Sequence, residues 1–347
     1  MAQLVRYRAT DTFIGISKTD SITSGYGTAV ARASWQRCLE GTEAHLIKDQ
    51  QWGIGLRATH RTDPWTKSKH VEATIKQYLN YEGIEYFLYQ LFGTGKTVDT
   101  TNSPAGLWTF LYNETLPIGL TLEVYNALYS EVFTGLKVKS ATFELIGADR
   151  PNVTWELIGD DQDADDATPD TKTYVQYEDD NPVLCTHSPS TGMVLFGHSD
   201  SEADVTEHVE RLVIKVENDL HIAYPVNQDT MQEPVRTDEH LGTPMLVTAD
   251  MDLWVRNTAD WDNFQADQDV GLKAEYEGGV IATTYKNELT WDIPFMRITG
   301  KGKPTVIGSG LLKGTLHMEA HEEQVATPDP LITMTLQNDN VTAIDDS

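Results

Sequence analysis

The sequence predicts a mainly β protein made of tandem β-sandwich or β-barrel domains, each with one flanking helix. Three observations carry this. In Leu289–Ala320, the residues Leu289, Trp291, Ile293 and Phe295 alternate with Thr290, Asp292 and Pro294, and Leu312, Gly314, Leu316 and Met318 alternate with Lys313, Thr315, His317 and Glu319. Period-two alternation sends one set of side chains to a packed face and the other outward. Gly300, Gly302, Pro304, Gly308 and Gly310 lie between the two runs and supply turn dihedrals, so the stretch reads as a long antiparallel hairpin. Val247, Ala249, Met251, Leu253 and Val255 give a second, cleaner strand face. Against these, Ile84, Phe87, Leu88 and Leu91 form the clearest helical stripe in the chain.

Taken in order, 1–41 reads as an N-terminal arm, with Phe13–Ile16 and Trp35 suited to docking. Thr42–Arg61 reads as one or two strands, and Val71–Leu79 as a strand with a near-apolar face. The helix is expected near Tyr81–Phe92, with Asn80 as N-cap, Glu82 in the first turn and Gly93 as the stop. A turn-rich loop is expected up to Asn113, then strands at Gly119–Tyr125, Val132–Ile146 and around Val153–Leu157. Within Val132–Ile146 the apolar phase slips from Leu136 and Val138 to Ala141, Phe143 and Leu145, which predicts a β-bulge. The acidic, low-complexity Gly159–Asn181 reads as a solvated loop. Further strands are expected in Val205–Leu220, Met245–Arg256, Val270–Glu277 and Leu331–Gln337, with a short helix over Ala259–Ala266 capped by Thr258. The order of elements before and after the acidic stretch is similar, which suggests an internal duplication. The expected domains are 42–160 and 205–340, separated by an acidic insert over 161–204 and followed by a tail over 341–347.

Composition narrows the function. A length of 347 residues fits roughly two domains of ~150 residues. A net charge of −27 excludes clamping nucleic acid by phosphate neutralisation, which needs clustered Lys and Arg. It is compatible with a channel through which DNA slides without sticking, and with a protein that works in high salt. Two distant cysteines, Cys38 and Cys185, give neither a disulfide framework nor a zinc site. The opening MAQLVRYRAT lacks a signal-peptide core, and no apolar run approaches the ~20 residues of a membrane span, so the expectation is a soluble protein made in a cytoplasm.

The candidate motifs are weak. Gly93–Thr97 (GTGKT) ends like a phosphate loop, but Gln90 stands where the first Gly belongs and a helix precedes it. His317 and His321 flank Glu319, but Met318 occupies the position of the zinc-protease Glu. Asp161, Asp163 and Asp165 have calcium-loop spacing, yet Asp166 replaces the turn Gly and Lys172 the bidentate Glu. No catalytic, cofactor or metal residues are assigned, and the chain is not expected to be an enzyme. A carbohydrate- or receptor-binding β-sandwich is the alternative, motivated by Trp52, Trp65, Trp108 and Tyr112 read as loop aromatics.

FTGLKVKSATFELIG…NVTWELIGDD (Phe133–Asp161), VERLVIKVENDLH (Val209–His221) and LTWDIPFMRITG…IGSGLLKGTLHMEA…PLITMTLQND resemble, in that order, stretches of the tail tube (major tail) proteins of tailed phages. The acidic insert at Asp160–Asn181 departs from the pattern. The resemblance implies a structural virion protein assembled in the host cytoplasm into stacked rings of the virion tail, and the acidic composition suits a haloarchaeal virus. Strands of neighbouring subunits would complete a shared β-barrel, with helices outside it. Implied partners are further copies of the chain, a tape-measure protein in the lumen, tail terminator and distal tail proteins, and DNA in transit without specific binding; no membrane is involved. With a duplicated chain, the ring expected is a trimer with pseudo-six-fold symmetry, and an ordinary hexamer is the fallback. Lys137, Lys139 and Lys313 would qualify the negative character of such a lumen.

Overall fold

The computed structural model describes residues 13–17, 32–51, 65–101, 104–125, 130–146, 150–163, 182–190, 192–198, 202–221, 235–236, 245–255, 269–282, 284–301, 305–307, 311–322 and 330–340. These form β1 (Phe13–Ser17), β2 (Arg32–Arg37), β3 (Glu43–Gln51), β4 (Trp65–Tyr78), α1 (Ile84–Phe92), β5 (Lys96–Asp99), β6 (Gly106–Leu111), β7 (Leu120–Tyr125), β8 (Ser130–Ile146), β9 (Asn152–Gly159) and β10 (Asp161–Asp163). After the acidic stretch come β11 (Val194–His198), β12 (Ala203–Asp204), β13 (Val209–Asn218), β14 (Leu220–His221), β15 (Val235–Arg236), β16 (Met245–Val255), β17 (Val270–Ala282), β18 (Tyr285–Lys301), β19 (Thr305–Ile307), β20 (Leu311–Ala320) and β21 (Thr333–Asn338). The fold is mainly β, and every ladder is antiparallel. No helix among the described residues is long and apolar enough to cross a membrane.

Two 17-residue strands organise the network. The C-terminal part of β8 lies between β9 and β13, within an eight-stranded sheet of order β3–β4–β9–β8–β13–β16–β20–β18. Its N-terminal part lies between β7 and β10, in a sheet that continues through β1 to β2. The N-terminal part of β18 lies between β17 and β21, in a sheet of order β12–β11–β17–β18–β21–β6–β5. Pairings β8–β13 and β6–β21 therefore join strands from before and after the acidic stretch.

The pairing order recurs along the chain. The run β3–β4–β9–β8 is matched by β13–β16–β20–β18. The irregularities coincide as well. Opposite β7, β8 has an extra residue between Phe133 and Leu136; opposite β17, β18 has one between Ile293 and Met296. Opposite β9, β8 has an extra residue between Val138 and Ser140; opposite β20, β18 has one between Ile298 and Gly300. A bulge bends its strand and increases the local twist, which lets one long strand leave one sheet and enter another. The first bulge in β18 also corrects a sequence expectation: Met296, not Phe295, follows Ile293 into the core, because the extra residue shifts the alternation.

The eight-stranded sheet and the β17–β18 sheet face each other across an aromatic core. Phe143 of β8 makes edge contacts with Trp155 (5.5 Å) and Trp291 (5.4 Å), and the Tyr276 hydroxyl donates to the Leu145 carbonyl at 2.7 Å. α1 packs into this core with Phe87 stacked on Trp155 at 4.9 Å, and all nine of its residues are buried. It is therefore not the one-sided helix its stripe suggested. Nor does Asn80 cap it. The helix follows Gly83, at φ 77°, with no side-chain cap, while the Asn80 side-chain oxygen accepts from Arg150 at 3.0 Å. A left-handed residue immediately before the helix favours glycine, so the chain enters by a backbone turn. Gly93 does close the helix, its N–H donating to the Tyr89 carbonyl.

Three further differences concern local structure. The stretch read as a loop up to Asn113 contains the β5–β6 hairpin, whose Trp108 and Phe110 are buried. The stretch read as an arm contains β1 and β2, with Ile14 and Ile16 fully buried. The acidic stretch begins with β10, where Asp161 pairs with Lys69. The expected helix at Ala259–Ala266 and its cap Thr258 lie outside the described residues.

Candidate assembly surface

The outward face of the eight-stranded sheet is built by simple alternation. Along β13, Leu212, Ile214 and Val216 are buried, while Arg211, Val213, Lys215 and Glu217 point outward. Along β20, Leu316 and Met318 are buried and Lys313, Thr315, His317 and Glu319 point outward. Directly opposed outward residues form continuous rows across strands. One row runs Lys76–Thr154–Thr142–Lys215–Thr248–Glu319–Arg297, from β4 to β18.

Charges on this face are matched locally. Lys215 pairs with Glu217 at 2.5 Å, Arg211 with Glu144 at 3.8 Å, and Lys313 with Glu210 at 2.7 Å and Asp252 at 3.5 Å. Hydroxyls and amides bind carboxylates of this face as well: Ser140 donates to Glu156 at 2.8 Å, Asn152 to Glu144 at 3.2 Å and Thr315 to Asp252 at 2.6 Å. The hydrogen bond to Glu210, with the nearby Asp252, raises the Lys313 pKa above its ordinary value. Such a face is polar, and Lys215, Arg211 and Lys313 on it each have a carboxylate partner.

On each side, among the described residues, the sheet ends in a strand with one unpaired edge. Among the described residues, β3 pairs only with β4, and β18 beyond Met296 pairs only with β20. The apolar residues there are incompletely covered: Ile47 is 37 % exposed, and Leu46 and Ile298 are partly buried. A cleft of about 600 Å³ opens beside the β18 edge, bordered by Asp269, Arg297, Thr299, Glu319 and His321. Inside it Asp269 accepts from His321 Nε2 at 2.9 Å and from Arg297 at 3.2 Å. Partial burial acts to raise the Asp269 pKa, but these bonds outweigh it and hold the carboxyl below its ordinary value.

The sequence candidates are dispersed. His317 meets Asp250 at 2.5 Å while His321 meets Asp269, so the two imidazoles have separate carboxylate partners. Among the described residues no group of three or more His, Cys, Asp or Glu side chains is arranged to hold a metal. Gly93–Thr97 runs from the end of α1 into β5, and the Lys96 ammonium sits 4.4 Å from the centre of the Tyr89 ring. Asp165, Asp166 and Lys172, and the side chains of Trp52 and Trp65, lie outside the described residues. Trp108 is not a loop aromatic: it is fully buried in β6 and donates to the Asn340 carbonyl at 3.0 Å. Lys137 is buried and Lys139, the extra residue of the β8 bulge, is exposed. Neither Cys38 nor Cys185 forms a disulfide; burial pushes the Cys38 thiol up to about 12, against a hydrogen bond from Thr42 that lowers it.

The sequence led to the expectation of open edges completed by neighbouring subunits, but did not reveal which strands form them. The signal was faint: only the chance to match strand order before and after the acidic stretch. A scan against known protein families finds no matching family, and no curated protein is significantly similar to the chain.

Proposed function

We propose that this chain is a structural, non-enzymatic subunit that assembles into rings stacked as a tail tube, of the kind its sequence resembles. The observation that carries the reading is an antiparallel sheet with a polar outer face that, among the described residues, ends on each side in a strand with one unpaired edge. Bare edges invite pairing with other chains, and closing them around a ring removes the hazard. The recurring strand order makes each chain equivalent to two four-stranded units, so three chains supply the six units of a pseudo-six-fold ring. At ~4.8 Å between strands and ~40° of tilt, roughly 24 strands close into a barrel about 48 Å across between backbones.

On this reading the row from Lys76 to Arg297 faces the bore. Lys215 and Arg297 of this row each have a carboxylate partner, Glu217 and Asp269, and threonines separate the cations, so in a chain of net charge −27 the row offers DNA no continuous basic track and lets it pass. A tape-measure protein fills the lumen during assembly, and terminator and distal tail proteins close its ends. The virion tail is then the place of work. Negative-stain microscopy down the tube axis, with light scattering on the same sample in molar salt, tests this. Rings of three chain masses are expected. Six-chain rings would overturn the trimer alone, and a monomer at every salt and high concentration would overturn the assembly.

A further inference from the structure

We infer that neighbouring copies of this chain, in the ring proposed above, join β3 of one copy to the Gly300–Lys301 end of β18 in the next, in the register that seats β13 on β8. The inference rests on the ring reading, but adds which strands meet, in which direction and in which register.

The joint is already present once inside each chain. β8 and β13 pair antiparallel with Ser140 opposite Glu217, Ala141 opposite Val216 and Phe143 opposite Ile214. The recurring ladders convert these positions. The two bulges equate Val138 with Ile298 and Ser140 with Gly300. Following the ladders outward, Trp155 matches Leu316, Ala73 matches Ala249, and so Ala44 matches Ile214 and Leu46 matches Val216. The internal joint β8–β13 therefore becomes, between chains, Gly300 opposite Ile47 and Lys301 opposite Leu46.

Burial supports the conversion. Val138 and Val216, beside the internal joint, are fully buried. Their counterparts at the bare edges, Ile298 and Leu46, are only partly buried. Ile47, 37 % exposed, sits where Glu217 sits at the internal joint. A strand laid on each edge would cover this apolar surface and satisfy a row of open backbone groups. The cleft beside Arg297 and Thr299 marks the same edge as unfilled in a single chain.

Cysteine cross-linking tests the register. In a Cys185→Ser background, Ile47→Cys with Gly300→Cys, and separately Leu46→Cys with Lys301→Cys, place thiols directly opposite each other across the joint. His45→Cys with Gly300→Cys places them two residues out of register on the same face. A Cβ on Gly300 would lie 3.3 Å from the His317 ring, which has only to shift slightly; the Leu46/Lys301 pair does not depend on that accommodation. On mild oxidation, the two in-register pairs are expected to give covalent dimers and trimers at least ten-fold more efficiently than the shifted pair, and each single variant none. In the unaltered chain, those backbone amides of Ala44–Ile47 and of Gly300–Lys301 that point away from β4 and β20 are expected to exchange at least ten-fold more slowly in rings than in monomers. Rings that cross-link best through the shifted pair, or whose β3 amides gain no protection, would overturn the joint and leave the ring standing. Absence of rings in the unaltered chain would overturn both.

Discussion

Replacing Asn218 by alanine should cost about 3 kcal/mol of stability, because one side chain serves three elements at once. Asn218 is the last residue of β13 and is 3 % exposed. Its amide nitrogen donates to the Leu91 carbonyl at 2.9 Å and to the Val138 carbonyl at 3.0 Å. Leu91 lies in the last turn of α1, where carbonyls have no intrahelical partner. Val138 lies at the β8 bulge, where the ladder is interrupted. Alanine removes both bonds and leaves each buried acceptor short of one donor, at roughly 1–3 kcal/mol each. Aspartate is nearly isosteric but, ionised, turns a buried negative charge toward both carbonyls, so it should cost more than alanine at neutral pH. It should recover part of that loss on acidification, when the carboxyl can donate again. Equilibrium urea unfolding in molar salt, followed by Trp fluorescence, measures all three proteins. An alanine loss below about 1 kcal/mol, or an aspartate variant no worse than alanine at neutral pH, would refute the reasoning.

Three other outcomes follow from the same structure. Phe143→Ala empties the point where Trp155 and Trp291 meet and should cost about 3–5 kcal/mol in the same urea assay. Glu288 stands directly opposite Glu277, and burial, then Glu275, raises its pKa above the ordinary 4.5. A raised folded-state pKa stabilises the fold below the unfolded value and loses that contribution as pH rises through the folded one. Glu288→Gln should therefore gain up to ~1 kcal/mol at neutral pH, a gain that disappears near pH 4; an equal effect at both pH values would contradict it. Assembly should weaken as salt falls from molar to ~0.1 M, because screening of the −27 charge is lost, and sedimentation velocity would read this as smaller particles.

How much of this was legible in the sequence depended on what each strand touches. β4, β9, β13, β16 and β20 bury one face and wet the other, so their period-two pattern is clean. The β8 bulge was legible because its neighbours on both sides are large and apolar, which makes the phase slip visible. The β5–β6 hairpin was not, since β5 is largely exposed and Trp108 finds its partner at Asn340, far along the chain. The start of α1 was misread because Asn80 is drawn to Arg150, while Asn338 donates to the Tyr81 carbonyl at 2.8 Å; both partners are remote in sequence. The face of the assembly surface could be seen in Lys313, Thr315, His317 and Glu319. That edges would be left open was expected, but which strands form them could not be seen, because whether a given strand has a neighbour is a property of topology.

The corresponding bulges explain how two halves with little residue identity can keep the same course. In both long strands the extra residue, Lys139 or Thr299, is exposed, and the flanking core positions are apolar: Leu136 and Val138, Met296 and Ile298. Volume and polarity at a few positions are enough to hold a bulge, so identities can drift while the bend remains. Register is less tolerant: a slip of one residue would turn every side chain of a strand to the opposite face. The pairing of β13 on β8 must therefore stay in step with the bulge beside it, and any strand laid on the bulged end of β18 meets the same constraint. That is why the internal joint can dictate the register of an external one even where no residue at the two joints is the same.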